Sequence, residues 1–490
     1  MTVMTRPIRE LSFDPAKLPG DLLIGGARRP GHARIDVTDP STGKPFATVA
    51  EASVEDALAA VAAAHDALPA WAATAPRKRS EILRRAFELM IERRAMLAEL
   101  ISLENGKALP DATGEVTYAA EFFRWFSEEA VRLNGELAVA PGGANRILVQ
   151  YQPIGVAVMV TPWNFPAAMA TRKLGPALAA GCTCVLKPAG ETPFTASLLA
   201  DILAEAGLPA GVVNVVTTSK SGATVGAMLH DPRVRKLSFT GSTEVGRRLL
   251  KEAADQVLSC SMELGGNAPF VVFDDADLDA ALDGAMIAKM RNGGEACTAA
   301  NRFYVQAGIA EAFSRGLSGR MAAMPVGPGY DPETRVGPMV NAAAVDRIAG
   351  LVDDAVGRGA ALLAGGKPLD RDGFYFPPTV LTDVPAGAEI GREEIFGPVA
   401  AITTFADEDE AVALSNDTAY GLIAYVYTGD LARGLRVCER IEPGMVGLNR
   451  GLVSDPAAPF GGVKQSGLGR EGAHHGILEF CEAKYIAASW

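Results

Sequence analysis

Histidine is scarce in this chain. Five occur in 490 residues, none in an H-E-x-x-H arrangement, so no protein-bound metal site is expected. Basic residues are also outnumbered, 46 Lys plus Arg against 58 Asp plus Glu, for a formal charge of −12. A nucleic-acid partner, whose phosphates call for a basic face, is therefore not expected. No apolar run approaches the roughly 18 residues of a membrane span: IGVAVMV (154–160) and ALAAGCTCVL (177–186) are both too short. The opening MTVMTRPIRELSFDP has no apolar core after its charges and does not resemble a secretory leader. Cys182, Cys184, Cys260, Cys297, Cys438 and Cys481 form no C-x-x-C pair and no framework spacing, which suits a reducing cytoplasm. There is no G-x-x-x-x-G-K-[ST], which excludes a P-loop NTPase.

What is present is length and alternation. The chain is long enough for about three domains at the usual ~150 residues each. With 48% hydrophobic and 21% charged residues it has the composition of an ordinary globular protein. Ser53 and Asp56 read as a capping box opening an alanine-rich helix to about His65, and one helical pattern spans about Arg79 to Asn105. From residue 150 strands and helices alternate: VAVMVTP, AMATRKLGPALAAG, TCVLKP, SLLADILAEAG, VVNVVT, ATVGAMLH, KLSFT. This order predicts a doubly wound parallel sheet. The alternation resumes after 268 through APFVVF, DLDAALDGAMIAKM and FYVQ, so a second α/β domain is expected, with the join near 265.

Several short stretches could carry chemistry. GLGREG (467–472) fits the dinucleotide pattern G-x-G-x-x-G, but no β-branched strand precedes it and too little chain follows for a βαβ unit; the match is coincidental. FTGSTEVG (239–246) follows a strand and opens a helix, so Gly241, Ser242 and nearby N–H groups could hold a diphosphate; taken alone, the motif is better explained as an ordinary Gly and Ser/Thr helix start. Glu263, in SMELGG, would have a raised pKa if buried and could serve as a general base, or could be a surface glutamate at an element end. Asn164, in TPWNFP, could donate to an oxyanion or simply shape a turn. Cys297 sits among small residues in NGGEACTAANR, as either a buried structural thiol or a nucleophile.

Taken in order, TPWNFP at 161, KPAGETP at 187, FTGSTEVG at 239, MELGG at 262, GGEACTAANR at 293, EEIFGPV at 393 and PFGGVKQSGLGREG at 459 resemble the aldehyde dehydrogenase superfamily over nearly the whole chain. The resemblance implies an α/β fold with two doubly wound domains and a small β oligomerisation element. Its expected bounds are 1–134 with 154–265 for the cofactor domain, 266–479 for the catalytic domain, and 135–153 with 480–490 for the bridging element. It implies Cys297 as nucleophile, the Asn164 amide and the Cys297 N–H as oxyanion donors, and Glu263 as the base that activates water on a thioester. The cofactor is NAD or NADP. Lys187 is expected at the adenosine ribose, Ser242 near the diphosphate with Gly241 and Val245, and Glu394 at the nicotinamide ribose beside Phe396. Trp163 and Leu264 would line the nicotinamide pocket, and Pro162 and Asn164 are further expected cofactor-binding residues. Gly190 stands where strongly NAD-preferring members often carry glutamate, so both cofactors should be accepted.

The stretch WNFPAAMATRKLGPALAAGCTCVLKP is similar to succinate-semialdehyde dehydrogenases, which place arginines at the positions of Arg172 and Arg291 and a serine at that of Ser454 to grip a distal carboxylate. The implied substrate is an aldehyde with a terminal acid, succinate semialdehyde first (the route of 4-aminobutyrate degradation). Arg450, Asp455 and Pro456 alter that loop and keep glutarate semialdehyde or a sulfonated or phosphonated aldehyde open. Ala299 occupies the position of the second cysteine of redox-switched relatives, so no disulfide switch is expected. Two rivals are a non-catalytic structural or binding protein on this fold, and a dehydrogenase passing its thioester to coenzyme A or phosphate. Retention of Cys297, Glu263, Asn164 and Lys187 argues against the first, and Glu263 as a water-activating base against the second. NRILVQYQP (145–153) and AKYIAASW have strand character, and pairing across subunits in a homodimer or homotetramer would cover their edges.

Overall fold

A computed structural model describes residues 11–490. Most of the opening segment read as lacking a leader, and the first ten residues assigned to the cofactor domain, lie outside that range. Two large sheets dominate. In the first, five parallel strands lie in the order Ser259–Glu263, Val234–Thr240, Val156–Val160, Thr183–Lys187, Val213–Val215. Antiparallel strands close its edges, Gly467–Leu468 on one side and Leu22–Ile24 with Ala27–Arg29 on the other. VAVMV and TCVLK are buried along their whole length because helices cover both faces of the sheet. The strand order reverses at Val156–Val160: the chain runs outward through Thr183–Lys187 on one side and returns to Val234–Thr240 on the other. A crevice at the carboxyl ends of these strands is where an open α/β sheet binds ligand.

The second sheet has seven strands, in the order Ala361–Ala364, Thr379–Thr382, Val399–Phe405, Ala300–Gln306, Ala268–Val272, Ile423–Tyr427, Met445–Leu448, all parallel except the first pair. Residues 264–267 pass from one sheet to the other, at the expected join.

Two expectations need correction. The pattern from Arg79 to Asn105 is two helices, Pro76–Glu92 and Arg94–Asn105, broken at Arg93 (φ −101°, ψ 14°). No glycine or proline marks the break, and the apolar spacing runs on through it. The second correction concerns the terminal strands. Arg146–Pro153 pairs with Cys481–Ala488 within one chain, from Pro153–Cys481 to Arg146–Ala488, and with Glu136–Val139 on its other side. The tail finds its partner without a second subunit. The exposed strand Glu136–Val139 instead forms an outer edge, with Leu137 68% and Val139 57% exposed. The Ser53–Asp56 capping box is present, and its helix runs on to Ala72.

Candidate active site

Two cavities open at the crevice and share Pro162, Trp163, Thr240, Gly241 and Ser242. The larger, about 740 Å³, is also lined by Lys187, Gly190, Glu191 and Val245. Its floor is the start of helix Thr243–Ala254, where Ser242 caps the first turn by accepting the Val245 N–H at 3.4 Å. Lys187 is buried, and desolvation lowers its pKa against the pull of Glu191. A side chain at Gly190 would meet no atom within 4 Å, so the cavity is open there.

The smaller cavity, about 260 Å³, brings together Asn164, Leu264, Glu394, Phe396 and Cys297. Trp163 and Phe396 meet edge to face at 5.3 Å, and Phe396 takes a left-handed φ of 52° to do so. Glu394 accepts the Gly266 N–H at 3.0 Å, and burial pushes its carboxyl up to about 7. Cys297 lies on the segment between helix Leu278–Met290 and strand Ala300–Gln306. Burial, only partly offset by Arg172, pushes its thiol up to about 12. The resting thiol is therefore protonated at neutral pH and needs activation to attack. Asn164 lines the same cavity; its Nδ2 donates to the Glu295 carbonyl at 3.1 Å, and its Oδ1 is buried with no partner among the described residues.

Glu263 ends strand Ser259–Glu263 and is 3% exposed, which removes the surface reading. Burial, then the charge of Glu471, raise its pKa well above the usual carboxylate range. Glu471 behaves oppositely. Burial works against its charge, but Arg172 and Lys173 outweigh burial and hold the carboxyl below its ordinary value. Arg172 forms an ion pair with Glu471 through Nε, and Lys173 Nζ donates to the other Glu471 oxygen at 2.6 Å and to Ser238 Oγ at 3.0 Å. Two nearby carboxyls with pKa values driven apart are the usual signature of distinct acid–base roles.

Arg172 is 2% exposed and lies 4.2 Å from the Phe460 ring; it lines neither cavity. Arg291 is half-buried, stacks on Phe165 at 4.9 Å and reaches Ser454 Oγ at 3.4 Å. The pairing of Arg291 with Ser454, 163 positions apart, thus exists in the folded chain. Sequence reasoning missed Lys173 and Glu471. The signal was available: helix Pro166–Ala180 is buried at every position yet carries two adjacent cations, which requires a buried counter-charge. That charge sits inside GLGREG, the decoy. Glu295 was missed as well; its Oε1 accepts the Val340 N–H at 3.2 Å, and burial pushes its carboxyl up to about 8.

The profile of the aldehyde dehydrogenase family matches residues 28–486. A succinate-semialdehyde dehydrogenase of Paenarthrobacter nicotinovorans is 57% identical over 90% of this chain and 98% of its own. A glutarate-semialdehyde dehydrogenase of Pseudomonas putida is 50% identical over 93% and 94%. The crystal structure of an NADP-dependent enzyme of E. coli superposes with a TM-score of 0.95 at 48% identity, covering 96% of this chain and 98% of that one.

Proposed function

Because the chain belongs to the aldehyde dehydrogenase family, we propose that Cys297, Asn164 and Glu263 carry out the NAD(P)-dependent oxidation of an acid semialdehyde to the corresponding dicarboxylic acid. The reaction is a semialdehyde oxidation, as in the named relatives, with NAD or NADP as cofactor. Succinate semialdehyde is the first candidate, and glutarate semialdehyde the second because the P. putida relative is named for it.

The single observation that carries this reading is the convergence of Cys297 and Asn164 on one cavity continuous with the Lys187–Ser242 cleft. The two cavities are shaped for a long ligand in two parts. Capped N–H groups at Ser242 suit a diphosphate, Lys187 an adenosine ribose or its phosphate, and Glu394 a ribose hydroxyl. When bound, the nicotinamide supplies the hydride acceptor. The Cys297 thiol gives its proton to water and adds through sulfur to the aldehyde carbon. The Asn164 Nδ2 leaves the Glu295 carbonyl to donate to the resulting oxyanion, and collapse of that oxyanion releases hydride and leaves a thioester on Cys297. Such a donor typically contributes about 2.7–4 kcal/mol to the transition state. Glu263 then takes a proton from water attacking the thioester. Its raised pKa means that it must first lose its own proton, so hydrolysis should accelerate as pH rises.

Arg291 with Ser454 supplies a forked cation and a hydroxyl for the distal carboxylate; Arg172, expected beside them, is instead paired with Glu471 and lines neither cavity. We assign 1–134 with 154–265 to the cofactor domain, 266–479 to the catalytic domain and 135–153 with 480–490 to the bridging element; the separation of the two large sheets supports this, although strand Gly467–Leu468 of the 266–479 span pairs into the first sheet. The apolar edge at Leu137 and Val139 favours a homodimer or homotetramer, and the six free cysteines favour the cytoplasm. Among the described residues no helix is long and apolar enough to cross a membrane. The test is kcat/KM for succinate, glutarate, malonate and sulfonated semialdehydes, each with NAD and with NADP. A preference for butanal over all four would reject the acid-semialdehyde reading, and a NAD preference above about a thousandfold would reject dual cofactor use.

A further inference from the structure

The turn that carries Asn164 is held from below by a cluster outside both cavities. Lys107 lies in the turn before helix Leu109–Glu129, Asp111 in the first turn of that helix and Glu115 one turn later. The spacing of four residues places Asp111 and Glu115 on one face of the helix. Lys107 is fully buried, and its Nζ makes two polar contacts: it donates to a Glu115 oxygen and, at 2.6 Å, to the backbone carbonyl of Asn164. It also lies 4.1 Å from the Phe165 ring. The other Glu115 oxygen accepts the Ala167 N–H at 2.8 Å, at the start of the helix that follows Asn164. Asp111 accepts the backbone N–H of Asn292 at 3.0 Å.

Asn292 completes the arrangement. It is held in a left-handed conformation (φ 56°), and its Nδ2 donates to the carbonyls of Asn164 and Glu295, both at 2.9 Å. The Asn164 carbonyl therefore receives one charged and one neutral donor. The Asn164 side-chain amide rests on the Glu295 carbonyl, in the cavity that Cys297 also lines. Neighbouring Trp163 is fixed in the same way, its carbonyl accepting from Asn105 Nδ2 at 3.1 Å. Arg291 is bonded in sequence to Asn292, so Asp111 and Asn292 anchor the proposed carboxylate grip and the proposed oxyanion donor through one residue.

We infer that Lys107, supported by Asp111, Glu115 and Asn292, is a positioning residue that fixes the Asn164 amide for the step in which the Cys297 adduct loses hydride. The inference rests on the reading of Asn164 as oxyanion donor. A charged donor on a backbone carbonyl holds a turn more tightly than a neutral one. A displacement of about 1 Å at a catalytic group can cost on the order of 100-fold in rate. Lys107 touches neither substrate nor cofactor in this arrangement; its effect passes through the Asn164 peptide.

The experiment is single-turnover reduction of NADP by succinate semialdehyde, protonated and deuterated at the aldehyde carbon, on the full-length wild type and on K107M, K107Q and N292A, with C297A as a control. K107M should slow the hydride step about 100-fold with KM changed less than about threefold, and should reveal a primary deuterium isotope effect. K107Q, which can still donate to the Asn164 carbonyl, should recover about tenfold of that loss, a pattern that general weakening of the fold would not give. A K107M hydride rate within about threefold of wild type in a folded protein would overturn the inference. Should K107M fail to fold, N292A serves instead: a loss of about tenfold supports the positioning role and an unchanged rate rejects it. A wild type that reduces no dinucleotide, or a C297A variant that reduces it at the wild-type rate, would instead show that the dehydrogenase reading itself has failed.

Discussion

Arg172 and Arg291 both lie near the nucleophile and both stack on an aromatic ring, but their surroundings differ in charge. Arg172 is closed off behind Phe460 and shares Glu471 with Lys173, so two cations and one anion sit together out of water. Arg291 is half-buried, rests on Phe165, and finds a neutral hydroxyl at Ser454. A buried ion network contributes geometry and a fixed field, whereas Arg291 makes no ion pair among the described residues and interacts with Asp111 only through space. The first region reads as built for holding Glu263 and Glu471 apart in pKa, and the second as built for recognition.

That contrast can be broken most decisively at Glu471. Glu471→Gln leaves Arg172 and Lys173 without their buried anion and should lower unfolding free energy by about 3–5 kcal/mol. Urea denaturation would show this as a lower midpoint, while Arg291→Ala should shift it by less than about 0.5 kcal/mol. Equal shifts would erase the distinction between the regions.

The next effect belongs to recognition. Arg291→Ala should reduce kcat/KM for succinate semialdehyde by about 100-fold, the worth of two hydrogen bonds to a charged group. Butanal, which has no distal acid, should change by less than about threefold. Losses of the same size for both aldehydes would assign Arg291 to structure rather than recognition.

Glu295 sharpens the comparison because it is a buried carboxyl that makes no ion pair among the described residues. Its folded pKa of about 8 lies above the ordinary 4.5, so the folded state holds its proton more tightly than the unfolded chain. Stability from this group is complete below pH 4.5 and is lost as pH rises to about 8. Glu295→Gln keeps an acceptor for Val340 without that loss. It should be more stable than wild type at pH 8, by on the order of 4 kcal/mol, with the gap shrinking toward pH 5. A gap that widens toward acid would contradict the burial argument.

Ser454→Ala should have the smallest effect, because the contact is long and Arg291 remains. A rise in KM for acid semialdehydes of about fivefold, with kcat little altered, is expected from steady-state kinetics.

Much of this was legible in the chain. Buried parallel strands need apolar runs on both faces, so VAVMV, TCVLK and APFVV announce themselves, and Ser53 with Asp56 satisfies orphan helix N–H groups through a local pattern. The break at Arg93 left no mark, because each half keeps the helical period and only the packing partner changes. Cys297, Asn164, Glu394 and Lys187 could be named from ordered motifs, yet no motif reported that the resting thiol is held protonated or that Asn164 rests on Glu295. GLGREG shows the limit: its spacing reads as a coincidental match to a phosphate cradle, and nothing in that spacing says that its glutamate is the counter-charge of the buried Arg172.

By itself the sequence determined the alternation of strands and helices, the family, and the kinds of side chain able to attack, polarise and hydrolyse, since these depend on residue type and local spacing. Only the tertiary structure decided which charges meet. Lys173 and Glu471 are 298 positions apart, Arg291 and Ser454 163, and Lys107 and Asn164 57. Solvation and Coulomb energies depend on distance through the folded interior rather than along the chain, so the same residue type is locked to a buried carboxylate at Arg172 and meets only a hydroxyl and an aromatic ring at Arg291.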